Sequence, residues 1–136
     1  MSKKKIFIAG HNGMIGSAIL KKFKKDNKFT LLYEDKKNLD LTNQSDVFKY
    51  LKKKNPYGVI LAAAKVGGIV ANNTQRASFL YDNLAIQSNV IHGSYLSGVK
   101  NLIFLGSSCI YPKSSKQPIK ESDLLSNYLE KTNEPY

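Results

Sequence analysis

Three glycines at fixed spacing are the residues of this sequence best placed to do chemistry. Gly10-His11-Asn12-Gly13-Met14-Ile15-Gly16 follows a short apolar run, KIFIA at 5–9, and leads into a segment of helical periodicity. A G-x-x-G-x-x-G loop between a strand and a helix suits a dinucleotide diphosphate. The first glycine turns the chain sharply, the second lets the backbone approach the phosphates, and the third allows helix and strand to pack closely. Amides at the start of the helix carry partial positive charge, and each favourable anion contact contributes about 0.3–1 kcal/mol. Gly10, Gly13 and Gly16 are therefore expected to bind the coenzyme, with His11, Asn12, Met14 and Ile15 of the same loop lining the phosphate site. His11 equally suits a solvated loop position.

About 20 residues after such a loop, a carboxylate would bind the ribose 2′-hydroxyl of NAD and a cation would accept the 2′-phosphate of NADP. This sequence offers both, Glu34-Asp35 followed by Lys36-Lys37, and the residue types leave the choice open. Asp40 and Leu41, slightly further on, are expected at the adenine edge.

The elements that must position these groups alternate along the chain. Apolar runs at 5–9, 29–33, 58–63 and 101–105 read as buried strands. Between them, 14–25 places Ile15, Ala18, Ile19 and Phe23 at helical spacing, and 45–53 turns Val47, Phe48 and Leu51 inward with lysines outward. Asn55-Pro56 ends that second helix, because proline disfavours the helical conformation in the residue before it. A long helix at 79–96 carries Leu80, Leu84, Val90, Ile91 and Tyr95 roughly on one side and closes at Gly98. The alternation implies an α/β fold, a Rossmann-type doubly wound parallel sheet with right-handed crossovers. Only the first four strands are expected, in the order 3-2-1-4. The fourth would then be an apolar open edge, which invites pairing, and residues 1–136 read as an incomplete nucleotide-binding domain.

Composition narrows the function classes. The net charge is +11, yet all but one of the 21 basic residues are lysine, the exception being Arg76. Base-edge recognition favours the arginine fork. The lysine clusters, at 21, 22, 24 and 25 and at 49, 52, 53 and 54, fall on polar faces of expected helices, and no recognised nucleic-acid motif accompanies them. No nucleic-acid partner is expected; a positive field would instead raise the on-rate of an anionic nucleotide. Lys65 interrupts the longest apolar region, so no membrane span is expected. Cys109 is the only cysteine. It allows no intrachain disulfide and suggests a reducing, cytoplasmic setting. No metal site is expected.

Longer segments carry a resemblance. LAAAKVGGIVANNTQ from Leu61, NLIFLGSSCIYPKSSKQPIKESDLL from Asn101 and the final EKTNEPY, with IAGHNGMIGSAI near the start, resemble the GDP-L-fucose synthase family of short-chain dehydrogenase/reductases. The similarity runs from Lys5 to Tyr136, well under half of a family member, which implies that the substrate domain is absent here. The resemblance implies NADP(H) as coenzyme and 3,5-epimerisation with 4-reduction of GDP-4-keto-6-deoxymannose. It places Lys36 where the family usually has an arginine for the 2′-phosphate, which keeps the charge but loses the bidentate fork. It sets Leu105, Gly106, Ser107 and Ser108 beneath the nicotinamide, with Ala62, Ala63 and Ala64 lining the same crevice.

Three catalytic residues are implied by the same match. Ser107 would donate to the C4 ketone. Cys109 would exchange a proton at carbon during epimerisation, as a thiol of pKa about 8.5 can, although free cysteines more often serve as small buried hydrophobes. Tyr136 matches the tyrosine of a Y-x-x-x-K pair that protonates the C4 oxygen. Tuning a phenol from about 10 to about 7 requires about 4 kcal/mol, and the lysine that would help lies beyond this sequence, so 136 residues alone are expected to be inactive. The family also implies a homodimer through the long helix. Two other readings are another nucleotide-sugar epimerase or dehydratase of the superfamily, and a non-enzymatic NAD(P)-binding module completed by a partner chain.

Overall fold

Strands made of consecutive apolar residues need cover on both faces, and the chain supplies it by alternating them with helices. A computed structural model of the protein describes residues 2–134. The elements are β1 (Lys4–Ala9), α1 (Met14–Phe23), β2 (Phe29–Leu32), α2 (Gln44–Lys54), β3 (Gly58–Leu61), α3 (Ile69–Thr74), α4 (Arg76–Leu96) and β4 (Asn101–Phe104). The chain divides into two units. One runs up to Ala64 and includes Leu84–Leu105; the other comprises Lys65–Asn83 and the residues from Gly106 onward.

The first unit contains the parallel sheet. β1 pairs with β2 on one side and β3 on the other, with Ile6 opposite Leu31 and Gly58, and β3 pairs with β4. The α/β fold class is as expected from the sequence. The strand order is not: it is β2-β1-β3-β4, where 3-2-1-4 was expected. Burial explains the difference. All of Gly58–Leu61 is buried, whereas β2 is half-buried with Thr30 exposed, so β3 takes the interior place beside β1 and β2 is left at the edge. No strand forms beyond β2 among the described residues. There the chain turns on the Asp35 carbonyl, which accepts from the amides of Asn38 (2.9 Å) and Leu39 (3.0 Å), and sends Leu39 into the core.

The two faces of the sheet follow the period-2 alternation of strand side chains. Phe7, Ala9, Val59 and Leu61 pack with Leu39, Val47, Leu51 and Val90, the side covered by α2 and α4. Ile6, Ile8 and Ile60 pack with Ile19, Leu20 and Phe23 of α1 and with Phe29 and Leu31. Each fully buried aliphatic side chain contributes about 1.5–3 kcal/mol. Asn43 caps α2 by accepting from the Asp46 amide at 3.3 Å, and Asn55 ends it in the left-handed region at φ 44°. Asparagine tolerates that conformation.

Helix α4 corrects one sequence expectation. Val90 is buried, but Leu84 and Tyr95 are 48% and 76% exposed, and Leu80 and Ile91 are also exposed. In the first unit the inward stripe is instead small and polar: Asn89, Val90, Gly93 and Ser94. A Cβ on Gly93 would stand 2.9 Å from both Leu51 and Phe48, so close approach to α2, rather than hydrophobicity, selects the buried face. Asn89 is buried there because its Nδ2 donates to the carbonyls of Leu41 and Thr42, each at 3.0 Å. The short helix α3 was not apparent from the sequence.

Candidate functional site

The ends of β1 and β3 bring the glycine loop against the alanine run. Ala62 N donates to Ala9 O at 2.9 Å and Leu105 N to Leu61 O at 3.0 Å, which extends both ladders past the strand ends. Gly10 sits at φ +89°, and a Cβ there would come within 2.6 Å of Ala63 N and 2.8 Å of the Ala62 carbonyl carbon. A Cβ on Gly16 would collide with the Gly10 carbonyl. Both glycines are thus required by the protein itself, the first by its turn and the second by the packing of α1.

Gly13 is different. Its backbone angles, φ −71° and ψ 166°, suit any residue, and an added Cβ would meet only Gly10 O at 3.4 Å, an ordinary contact. Nothing among the described residues requires glycine here. A bound group approaching the backbone would. Gly13 N–cap geometry supports this: no side chain caps α1 and no acid lies in its first turn. Gly13 N donates to Gly10 O at 3.1 Å. The loop therefore fits a diphosphate held by amides, as the residue spacing implies. Met14 and Ile15 are 87% and 52% exposed at the same end, and Ala64 is exposed next to half-buried Ala62 and Ala63.

Beyond β2 the structure joins residues that the sequence left separate. Asn12 Nδ2 donates to Asp35 Oδ1 at 2.7 Å, and His11 Nε2 lies 3.6 Å from the same oxygen. The His11 ring is buried against Tyr33, centroids 4.9 Å apart. A buried position replaces the solvated one that His11 equally suited. This pairing follows from the topology: residues just past the carboxyl ends of adjacent parallel strands meet, and the expected order already set β1 beside β2. Lys36 reaches toward Asp40 Oδ2 at 3.7 Å and is otherwise open. Asp40 Oδ1 accepts from Thr42 N at 2.9 Å and Thr42 Oγ1 at 2.8 Å. The Thr42 amide, assisted by its hydroxyl and by Lys36, holds the Asp40 carboxyl below its ordinary range despite partial burial. Asp40 thus serves a turn, and Leu41 packs on the core with its carbonyl bound to Asn89.

The second unit contains Gly106, Ser107, Ser108 and Cys109. Ser107 caps a 3₁₀ turn over Ser108–Ile110, its Oγ accepting from Cys109 N at 3.2 Å. Accepting leaves the hydroxyl proton free to be donated elsewhere. Cys109 is a half-buried free thiol. Asn83 takes a role that its residue type did not reveal: its Oδ1 accepts from Lys65 N at 2.7 Å while its Nδ2 donates to Lys65 O at 3.0 Å. Lys65 Nζ in turn donates to Asp82 at 2.7 Å and to the Ser78 hydroxyl. Both the backbone and the side chain of Lys65 are therefore tied to α4. Arg76 donates to Lys131 O and Glu134 Oε2, each at 2.9 Å. Tyr136 lies outside the described residues.

No helix among the described residues is long and apolar enough to cross a membrane. The model of the NAD dependent epimerase/dehydratase family matches residues 6–136. The sequence is similar to a GDP-L-fucose synthase of Sinorhizobium fredii, 53% identical over 98% of this chain and 42% of that enzyme. GDP-L-fucose synthase 1 of Arabidopsis thaliana is 56% identical over 97% of this chain and 41% of its own length. Among solved structures, MlghC, a GDP-mannoheptose C4 reductase from Campylobacter jejuni with NADP bound, superposes with a TM-score of 0.91 at 43% identity, covering 97% of this chain and 42% of that one. The chain thus spans about two-fifths of the length of the relatives it matches.

Proposed function

The chain belongs to the NAD dependent epimerase/dehydratase family, and from that premise we propose that it is the coenzyme-binding part of an NADP(H)-dependent enzyme that converts GDP-4-keto-6-deoxymannose to GDP-L-fucose by 3,5-epimerisation and 4-reduction. The observation that carries the coenzyme half of this reading is Gly13, a glycine with no reason inside the protein, set between two glycines that have one. Support for the substrate half comes from relatives that carry the name GDP-L-fucose synthase and from a structural neighbour named as a C4 reductase of a GDP-sugar.

The bound coenzyme would supply the hydride. Gly10 and Gly16 shape the loop, and the backbone at Gly13 admits the diphosphate. Ala62, Ala63 and Leu105 border the loop's strand ends. Ser107, whose oxygen already accepts from Cys109 N, donates a hydrogen bond to the C4 oxygen as charge develops there and keeps its proton. Cys109 exchanges the proton at carbon next to the ketone, and Tyr136 protonates the C4 oxygen. The exposed outer face of α4, with Leu84, Ile91 and Tyr95, suits a second copy of the chain as partner. The setting consistent with this chemistry is the cytoplasm.

The test is incubation of the whole gene product with NADPH and GDP-4-keto-6-deoxymannose, with the product identified by mass and by proton NMR. GDP-L-fucose is the expected product. A 4-reduced sugar of unchanged configuration at C3 and C5, or no turnover, refutes the epimerase/reductase assignment.

A further inference from the structure

Two groups of opposite charge, Asp35 and Lys36, follow the end of β2, and the structure treats them unequally. The Asp35 carboxylate is fixed: Oδ1 accepts from Asn12 Nδ2 at 2.7 Å and lies 3.6 Å from His11 Nε2. His11 is itself held by burial and by its tilted ring contact with Tyr33. Both contacts run to Oδ1, which leaves Oδ2 of a half-exposed carboxylate (49%) open among the described residues. A fixed carboxylate with one open oxygen accepts from a ribose hydroxyl and repels a phosphate dianion. The Lys36 side chain, by contrast, is 82% exposed, and its ammonium makes a long 3.7 Å approach to Asp40. An exposed lysine is a mobile point charge, without the forked geometry that would fix a 2′-phosphate.

Since Asn12 belongs to the glycine loop, the carboxylate it holds lies beside the place where the diphosphate enters. We propose that Asp35, oriented by Asn12 and His11, is the specificity-determining residue of the coenzyme site, and that it makes the site accept the unphosphorylated dinucleotide NAD(H) nearly as well as NADP(H). This inference rests on the coenzyme reading above. The fixed carboxylate favours the free diol, the mobile ammonium favours the phosphate, and the two preferences largely cancel.

Direct titration calorimetry of the whole polypeptide tests it without turnover, using NAD⁺ and NADP⁺ and, as adenosine-side probes, AMP and adenosine 2′,5′-bisphosphate. The wild type should bind NAD⁺ and NADP⁺ with Kd values within tenfold of each other. Asp35→Ser, which removes the charge at an exposed position, should shift the ratio toward NADP⁺ by at least tenfold, and Asp35→Asn, which keeps a polar side chain beside Asn12, should shift it in the same direction. The AMP and bisphosphate pair should follow the same trend. A wild-type preference for NADP⁺ above tenfold, or a ratio that moves less than threefold in both variants, overturns the inference and leaves the coenzyme site standing. Absence of binding by either dinucleotide overturns the coenzyme reading together with it.

Discussion

Replacing Gly13 with alanine separates what the fold needs from what a ligand needs. The added Cβ would sit 3.4 Å from Gly10 O, with no other heavy atom within 4 Å, and the backbone at φ −71° and ψ 166° is open to alanine. Removing glycine from the unfolded chain stabilises by about 0.4–1 kcal/mol. Alanine is a poorer N-cap than glycine, a loss of the same order. The two effects offset each other, so the net change in stability should stay within about 1 kcal/mol. Ligand binding has no such compensation. The methyl group would stand where the diphosphate approaches the helix amides, and losing one hydrogen bond to a charged group costs about 1.5–3 kcal/mol. That corresponds to a ten- to hundredfold weaker coenzyme Kd. Thermal unfolding and titration calorimetry on the same preparation measure both quantities. Gly16→Ala is the contrasting control, since its Cβ would collide with the Gly10 carbonyl and should lower the melting temperature sharply. If Gly13→Ala binds NADP⁺ as tightly as the wild type, Gly13 is not where a diphosphate meets the backbone, and the reasoning fails.

Other expectations follow from particular contacts. Asn89→Ala removes the side chain that donates to the Leu41 and Thr42 carbonyls, which should cost about 1–3 kcal/mol in chemical denaturation; a loss under about 0.5 kcal/mol would mean that water replaces the amide. The Tyr50 phenol, packed 5.0 Å from the Phe7 ring, is pushed up to about 12, first by burial and then by the Glu34 carboxylate. Because the folded state retains this proton more tightly than the unfolded state, its stabilising effect is complete below about pH 10 and is lost as pH rises toward 12. Ultraviolet titration should show a tyrosine ionisation step near pH 12, and Tyr50→Phe should remove that step. Ser107→Ala should slow reduction by about 10²–10³-fold in single-turnover NADPH oxidation by the whole polypeptide, with coenzyme Kd unchanged. An unaffected rate would confine Ser107 to capping the turn before Cys109.

Local chemistry is what the residues state by themselves. The apolar runs, the helical periodicity around Phe23 and Leu51, the break at Asn55-Pro56 and the glycine spacing all act over a few residues, so type and order suffice to specify the α/β alternation and the glycine turn between β1 and α1. Which of these glycines the fold itself requires is not written in their spacing. It depends on Ala62, Ala63 and the Gly10 carbonyl, brought close only when β1 and β3 pair. The strand order likewise required burial on both faces of β3, a property of the packed sheet and not of the segment. Helix α4 is apolar on more than one side, so its sequence could not reveal that Gly93 and Asn89 would face inward while Leu84 and Tyr95 stayed exposed. The choice between Asp35 and Lys36 was equally open from residue types alone. What holds the Asp35 carboxylate is visible only in the folded chain, because its contact with Asn12 spans 23 residues and forms where two parallel strands end side by side.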